Sequence, residues 1–104
     1  MAEKPQRETQ EPLKVTDLLL LTVAQLIHKA WAFLGTLSHP ETGTQQQDLQ
    51  QARLAIDATE RLLSLLKDAG VSQEATKDLE FQLANLRINY LALQEKARTG
   101  SPSS

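Results

Sequence analysis

A chain of 104 residues with 11 basic and 13 acidic side chains, net charge −2 and no cysteine has room for one domain. The missing thiols exclude disulfides, thiolate nucleophiles and thiolate metal sites. Lys and Arg are spread along the chain and the four aromatics do not interleave with them, so no phosphate-tracking or base-stacking face exists for nucleic acid.

Residues 1–15 read as a solvated polar tail. Pro5 and Pro12 interrupt any helix, and Leu13 is the main apolar side chain. The mixed charges of MAEKPQRETQEPLK do not follow the basic-then-apolar order of a signal peptide. Thr16 is a good N-cap and Asp17 suits the positive end of a helix dipole, so a first helix is expected over about 17–37. From Leu18 to Leu37 it is unusually apolar. Its polar side chains (Thr22, Gln25, His28, Lys29, Thr36) occupy about one third of the circumference, and the rest, including Leu20, Ile27, Trp31 and Leu34, needs covering. Leu18 to Leu34 falls short of the roughly 20 apolar residues of a bilayer span, and Lys29 interrupts it further.

Ser38–Gln47 reads as a loop, with Pro40 blocking helix continuation and Gly43 permitting a turn. Asp48 caps a second helix over about 48–69, with Gln51 placed for a capping box and Gly70 for the left-handed terminator. Ser72 caps a third over about 73–98, and residues 99–104 form a polar tail. The expected fold is therefore all-α: a long apolar first helix packed on an antiparallel helical hairpin, forming a single domain over 16–98. A short Gly70–Ser72 break places helices two and three side by side, so residues whose numbers sum to about 142 should face each other. That rule pairs Leu63 with Leu79, Ile56 with Leu86 and Leu49 with Leu93.

The third helix carries a second apolar row, Phe81, Ala84, Ile88 and Leu91, about 160° from its hairpin seam. One neighbour cannot cover both. Leaving this row and half of the first helix wet would forfeit on the order of 10 kcal/mol, so the expected arrangement is a self-associating module, a homodimer first. Its interface would comprise Leu20, Ile27, Trp31, Leu34, Phe81, Ala84, Ile88 and Leu91. The competing occupants of the first helix are a different protein partner or a membrane surface.

Chemistry is poorly represented. His28 and His39 have no His or carboxylate at i+4 to complete a ligand pair, and both read as solvated. Asp57 and Arg87 fit a structural ion pair across the hairpin, with Arg61 and Arg53 at i+4 and i−4 competing for Asp57 locally. No nucleophile or second carboxylate converges there for acid–base work. The serines lack a His–Asp arrangement, and the glycines form no phosphate-cradling loop. The expectation is a non-enzymatic protein without cofactor, metal or small-molecule substrate.

The order of an apolar first helix, PETG (Pro40–Gly43), the segment Leu49–Asp57, Leu65–Lys67 and LANLRINYL (Leu83–Leu91) resembles a family of short bacterial proteins known as domain of unknown function 1844. Leu86, Arg87 and Tyr90 match its Leu-Arg-x-x-Tyr ending. The resemblance implies a small all-helical bacterial protein in the cytoplasm, with no assigned activity and no catalytic residues to transfer. Its hairpin turn, KDAGVS, departs from the longer polar turn of that family.

Overall fold

The computed structural model of the protein describes residues 12–99. Its elements are α1 (Val15–Phe33), α2 (Leu49–Asp68) and α3 (Gln73–Thr99), with no strand among the described residues. The expected tails lie mostly outside this range.

The C-terminal ends of α1 and α2 are each set by a glycine in the left-handed region. At the end of α1, Gly35 (φ 91°) lets its N–H reach the Ala32 carbonyl while the Thr36 N–H reaches that of Trp31. At the end of α2, Gly70 (φ 93°) repeats the pattern, with its own N–H on Lys67 and that of Val71 on Leu66. These paired bonds satisfy carbonyls that a helix end leaves open. The first of them stops α1 four residues before the expected Leu37.

The helix starts follow different rules. Asp48 accepts from the backbone N–H groups of Gln50 and Gln51, as a capping carboxylate should. Its own N–H goes to the Phe33 carbonyl at 2.8 Å, tying the start of α2 to the end of α1 instead of to a Gln51 side chain. Ser72 Oγ accepts the Ala75 N–H and opens α3. For α1 the cap position is Lys14, not Thr16, and no side chain caps it.

The core is built from Val23, Ile27, Ala30 and Leu34 of the α1 segment, Ala52, Ala55, Ile56, Leu63 and Leu66 of α2, and Leu83 and Leu86 of α3. Alanines at the α1–α2 contact let these two helices pack more extensively than either does with α3. Leu49, Leu79 and Leu93 pack on the rim of the same cluster. Two ion pairs join α2 to α3, Glu60–Arg87 at 2.6 Å and Lys67–Glu80 at 2.9 Å. They run in opposite chain order along the two helices, so α2 and α3 are antiparallel. Their numbers sum to 147, about one helical turn from the expected 142.

That offset corrects the expected Asp57–Arg87 pair. Arg87 is level with Glu60, while Asp57 meets Arg53 on its own helix at 3.8 Å. Both pairs are half-exposed and worth at most about 1 kcal/mol each. Buried polar groups are satisfied internally: the Thr59 hydroxyl donates to the Ala55 carbonyl, and that of Thr76 donates to Glu80.

Candidate interaction surface

The apolar row of α3 has no cover from the described residues of its own chain. Phe81 is 69 %, Ile88 64 % and Leu91 59 % exposed, and Ala84 is open beside them. Spacing of three and four residues puts all four on one stripe, while Leu83 and Leu86 on the opposite side enter the core. The row is longitudinally bounded by charge, with Lys77 one turn before Phe81 and Glu95 one turn after Leu91. Glu95 holds Arg98 at 2.7 Å.

The α1 half of the expected interface is corrected. Ile27 and Leu34 are buried in the chain's own core, and Leu20 and Trp31 are half-buried against it. The covering body for that face is α2 and α3 of the same molecule. The large apolar side chains that α1 leaves exposed lie at its N-terminal end, Val15, Leu18 and Leu21, with Leu13 just before them. No helix among the described residues is long and apolar enough to cross a membrane.

A second cluster anchors the loop after α1. His39 is buried, which overturns its expected solvation. Its Nε2 lies 3.0 Å from the Gln46 carbonyl and its Nδ1 2.8 Å from Lys29 Nζ. A carbonyl only accepts and an ammonium only donates, so the geometry sets the tautomer: Nε2 carries the proton and Nδ1 accepts. The Phe33 ring meets His39 edge-on at 4.4 Å and lies 4.8 Å from Lys29 Nζ. Glu41 closes the cluster on Lys29 at 3.0 Å. That hydrogen bond, helped by a backbone one, holds the Glu41 carboxyl below its ordinary range. The PETG segment is thus clamped onto α1 through Lys29, and every polar group in the clamp has a partner. His28 remains exposed, as expected.

A groove of about 260 Å³ between α2 and α3 is lined by Arg53, Ile56, Asp57, Arg87, Tyr90 and Leu91, with Gln94 at its end. It gathers Asp57, Arg87 and Tyr90 in one place, although Asp57 and Arg87 are not partners. Its charges are paired locally and it opens beside the α3 row through Leu91. Nearby, Glu80 is held below the ordinary carboxylate range, first by the Lys67 hydrogen bond and then by the Thr76 hydroxyl. No three His, Cys, Asp or Glu side chains converge on a metal-sized site among the described residues.

Sequence reasoning missed the His39 clamp. Its only signal was the alternation of Lys29 and Phe33 at i and i+4 on α1, one turn apart and both facing the loop.

Residues 16–94 match the family model described as Domain of unknown function (DUF1844), which covers most of the chain, and the protein belongs to that family. No curated protein and no solved structure matches it.

Proposed function

We propose that this DUF1844 chain is a non-enzymatic helical interaction module that self-associates through the outer face of α3. One observation carries the reading: Phe81, Ala84, Ile88 and Leu91 form a continuous apolar stripe on a well-formed helix, open to solvent along its length. Stripes of this kind on soluble domains mark contact surfaces, because each large side chain withdrawn from water contributes about 1.5–3 kcal/mol. The α1 face, satisfied within the chain, supports the bundle and no longer belongs to the interface. The local pairing of Asp57, Arg87 and Glu60 supports a structural role for the family's Leu-Arg-x-x-Tyr ending. The same reading places the module in a bacterial cytoplasm, supported by the cysteine-free sequence.

Sedimentation velocity over a dilution series tests the proposal. The expected result is a dimer that dissociates on dilution, and that Ile88→Asp converts to a monomer with unchanged helicity. A wild-type monomer at tens of micromolar overturns it.

A second reading rests on the exposed Leu13, Val15, Leu18 and Leu21 at the start of α1. These suit a membrane surface, with Lys14 beside them for anionic headgroups. Co-sedimentation with anionic vesicles, abolished by Leu18→Asp with Leu21→Asp, supports this reading; failure to bind such vesicles dismisses it.

A further inference from the structure

The α3 row is complementary to itself when a second copy is laid against it in the opposite direction. We propose that two copies pair as an antiparallel α3–α3′ coiled coil about a two-fold axis level with Leu86, in which Lys77 of each copy meets Glu95 of the other. This rests on the self-association reading above and specifies its partner, direction and register.

The row Lys77, Phe81, Ala84, Ile88, Leu91, Glu95 is spaced 4-3-4-3-4, the heptad alternation of a two-helix seam. In an antiparallel pair each first-type seam position faces a fourth-type position of the partner. Reversing this row on itself gives three such layers on each side of the axis: Ala84 with Ile88′, Phe81 with Leu91′, and Lys77 with Glu95′. Residue numbers sum to 172 in every layer. The central layer sets a small side chain against a branched one, which lets two helices approach closely without a void. The next sets an aromatic ring against leucine.

The outermost layer sets opposite charges together on both sides of the axis, because a two-fold contact repeats every pair. A parallel pair of the same row would oppose Lys77 to Lys77′ and Glu95 to Glu95′. The charges therefore select direction as well as register. Glu95 already holds Arg98 within its own helix, and its outward position lets it receive Lys77 of the partner in addition. Towards α2, Arg87 lies near the axis, and Glu60 neutralises it within its own chain. The seam spans about 27 Å, five turns of helix.

Two charge-reversed chains test the proposal. Lys77→Glu homodimers would oppose Glu to Glu in both outer layers, and Glu95→Lys homodimers would oppose Lys to Lys. A mixed pair restores an opposite-charge contact in both layers. Each variant alone should dimerise about tenfold more weakly than wild type, and an equimolar mixture should recover wild-type affinity as a heterodimer, read by sedimentation velocity with one chain dye-labelled. Circular dichroism of each variant reports folding, since both positions are exposed.

A second measurement reads direction alone. Lys77→Cys and Glu95→Cys chains, mixed and treated with a short bis-maleimide, should give only the mixed cross-link; like cross-links would show a parallel pair. If wild type dimerises but mixing restores nothing and no mixed cross-link forms, the seam is wrong while self-association stands. If wild type is monomeric throughout, both fall.

Discussion

Leu86 and Ile88 stand two residues apart on α3 and face opposite ways, so their substitutions separate the core from the outer row. Leu86 is 0 % exposed and, with Leu83, supplies the buried apolar contacts of α3. Leu86→Ala removes its branched end from a packed site and should cost about 2–5 kcal/mol, the transfer loss plus a residual cavity. Against the roughly 4–13 kcal/mol available to a domain of this size, that is a large share. Ile88 keeps only about one third of its surface covered, so Ile88→Asp should cost the monomer about 0.5–1 kcal/mol. Urea unfolding followed by circular dichroism, at concentrations low enough to populate monomer, gives both numbers. The slope should stay fixed while the midpoint moves, since the surface exposed on unfolding is nearly unchanged. On the proposed self-association the gap between the two narrows at high concentration, because Ile88→Asp would also remove the stabilisation that association adds by mass action. Equal destabilisation of the monomer by both substitutions would refute the assignment of these faces.

The Lys67–Glu80 pair gives a pH dependence with a definite sign. The Glu80 carboxyl is held down in the folded chain, so its contribution is present above the ordinary glutamate value of about 4.3 and is lost as pH falls through the lower folded value. Glu80→Gln should flatten the stability profile below about pH 4.3, and an unaltered acid limb in urea midpoints would contradict the linkage. Asp48→Ala removes the cap of α2 and should lower stability by about 0.5–2 kcal/mol, measured in the same melts. Gly70→Ala meets no atom within 4 Å, so its cost is backbone strain alone, about 1–2 kcal/mol. Gly70→Asn should cost less, because asparagine tolerates the left-handed region; equal melting temperatures for the two variants would count against this origin. Lys29→Met keeps the stem over Phe33 but removes the donor to His39 and Glu41, and should speed amide exchange in residues 39–46 without shifting that of α2.

The parts of the fold written in local chemistry were legible. Asp48, Ser72 and Gly70 announce helix ends through their own side chains or lack of one, and α3's two apolar rows follow from the 3.6-residue period. Gly35 performs the same task as Gly70 but sits inside an apolar run that continues through Leu37, and the periodicity masked the stop. The period also shows that a face is apolar without showing which body covers it. Ile27 and Leu34 on α1 carry the same pattern as Ile88 and Leu91 on α3, yet the first pair is buried by its own chain and the second is not. The His39 clamp was hidden for a related reason. SHPETG is polar in composition, and the burial of its His39 depends on Lys29 and Phe33 approaching from another element. The Asp57–Arg87 pairing failed on one turn of register, a quantity set by how α2 and α3 slide until their cores close.

The uneven distribution of contacts gives the outer row its significance. α1 and α2 share alanine-lined packing, the Asp48–Phe33 backbone bond and the Lys29–His39 clamp, so they form the more firmly joined part of the bundle. α3 is the longest helix, yet it commits only Leu83 and Leu86 to the buried apolar core, with Leu79, Tyr90 and Leu93 partly buried beside them, and adds two half-exposed ion pairs worth little in water. A helix held so lightly on one side and apolar on the other gains most from a second contact. On the proposed pairing, closing Phe81, Ile88 and Leu91 against a partner would withdraw three mostly exposed side chains of α3 from water, and association would reinforce the docking of α3. The surface that meets a second copy in that pairing is carried by the helix that packs least extensively within its own chain.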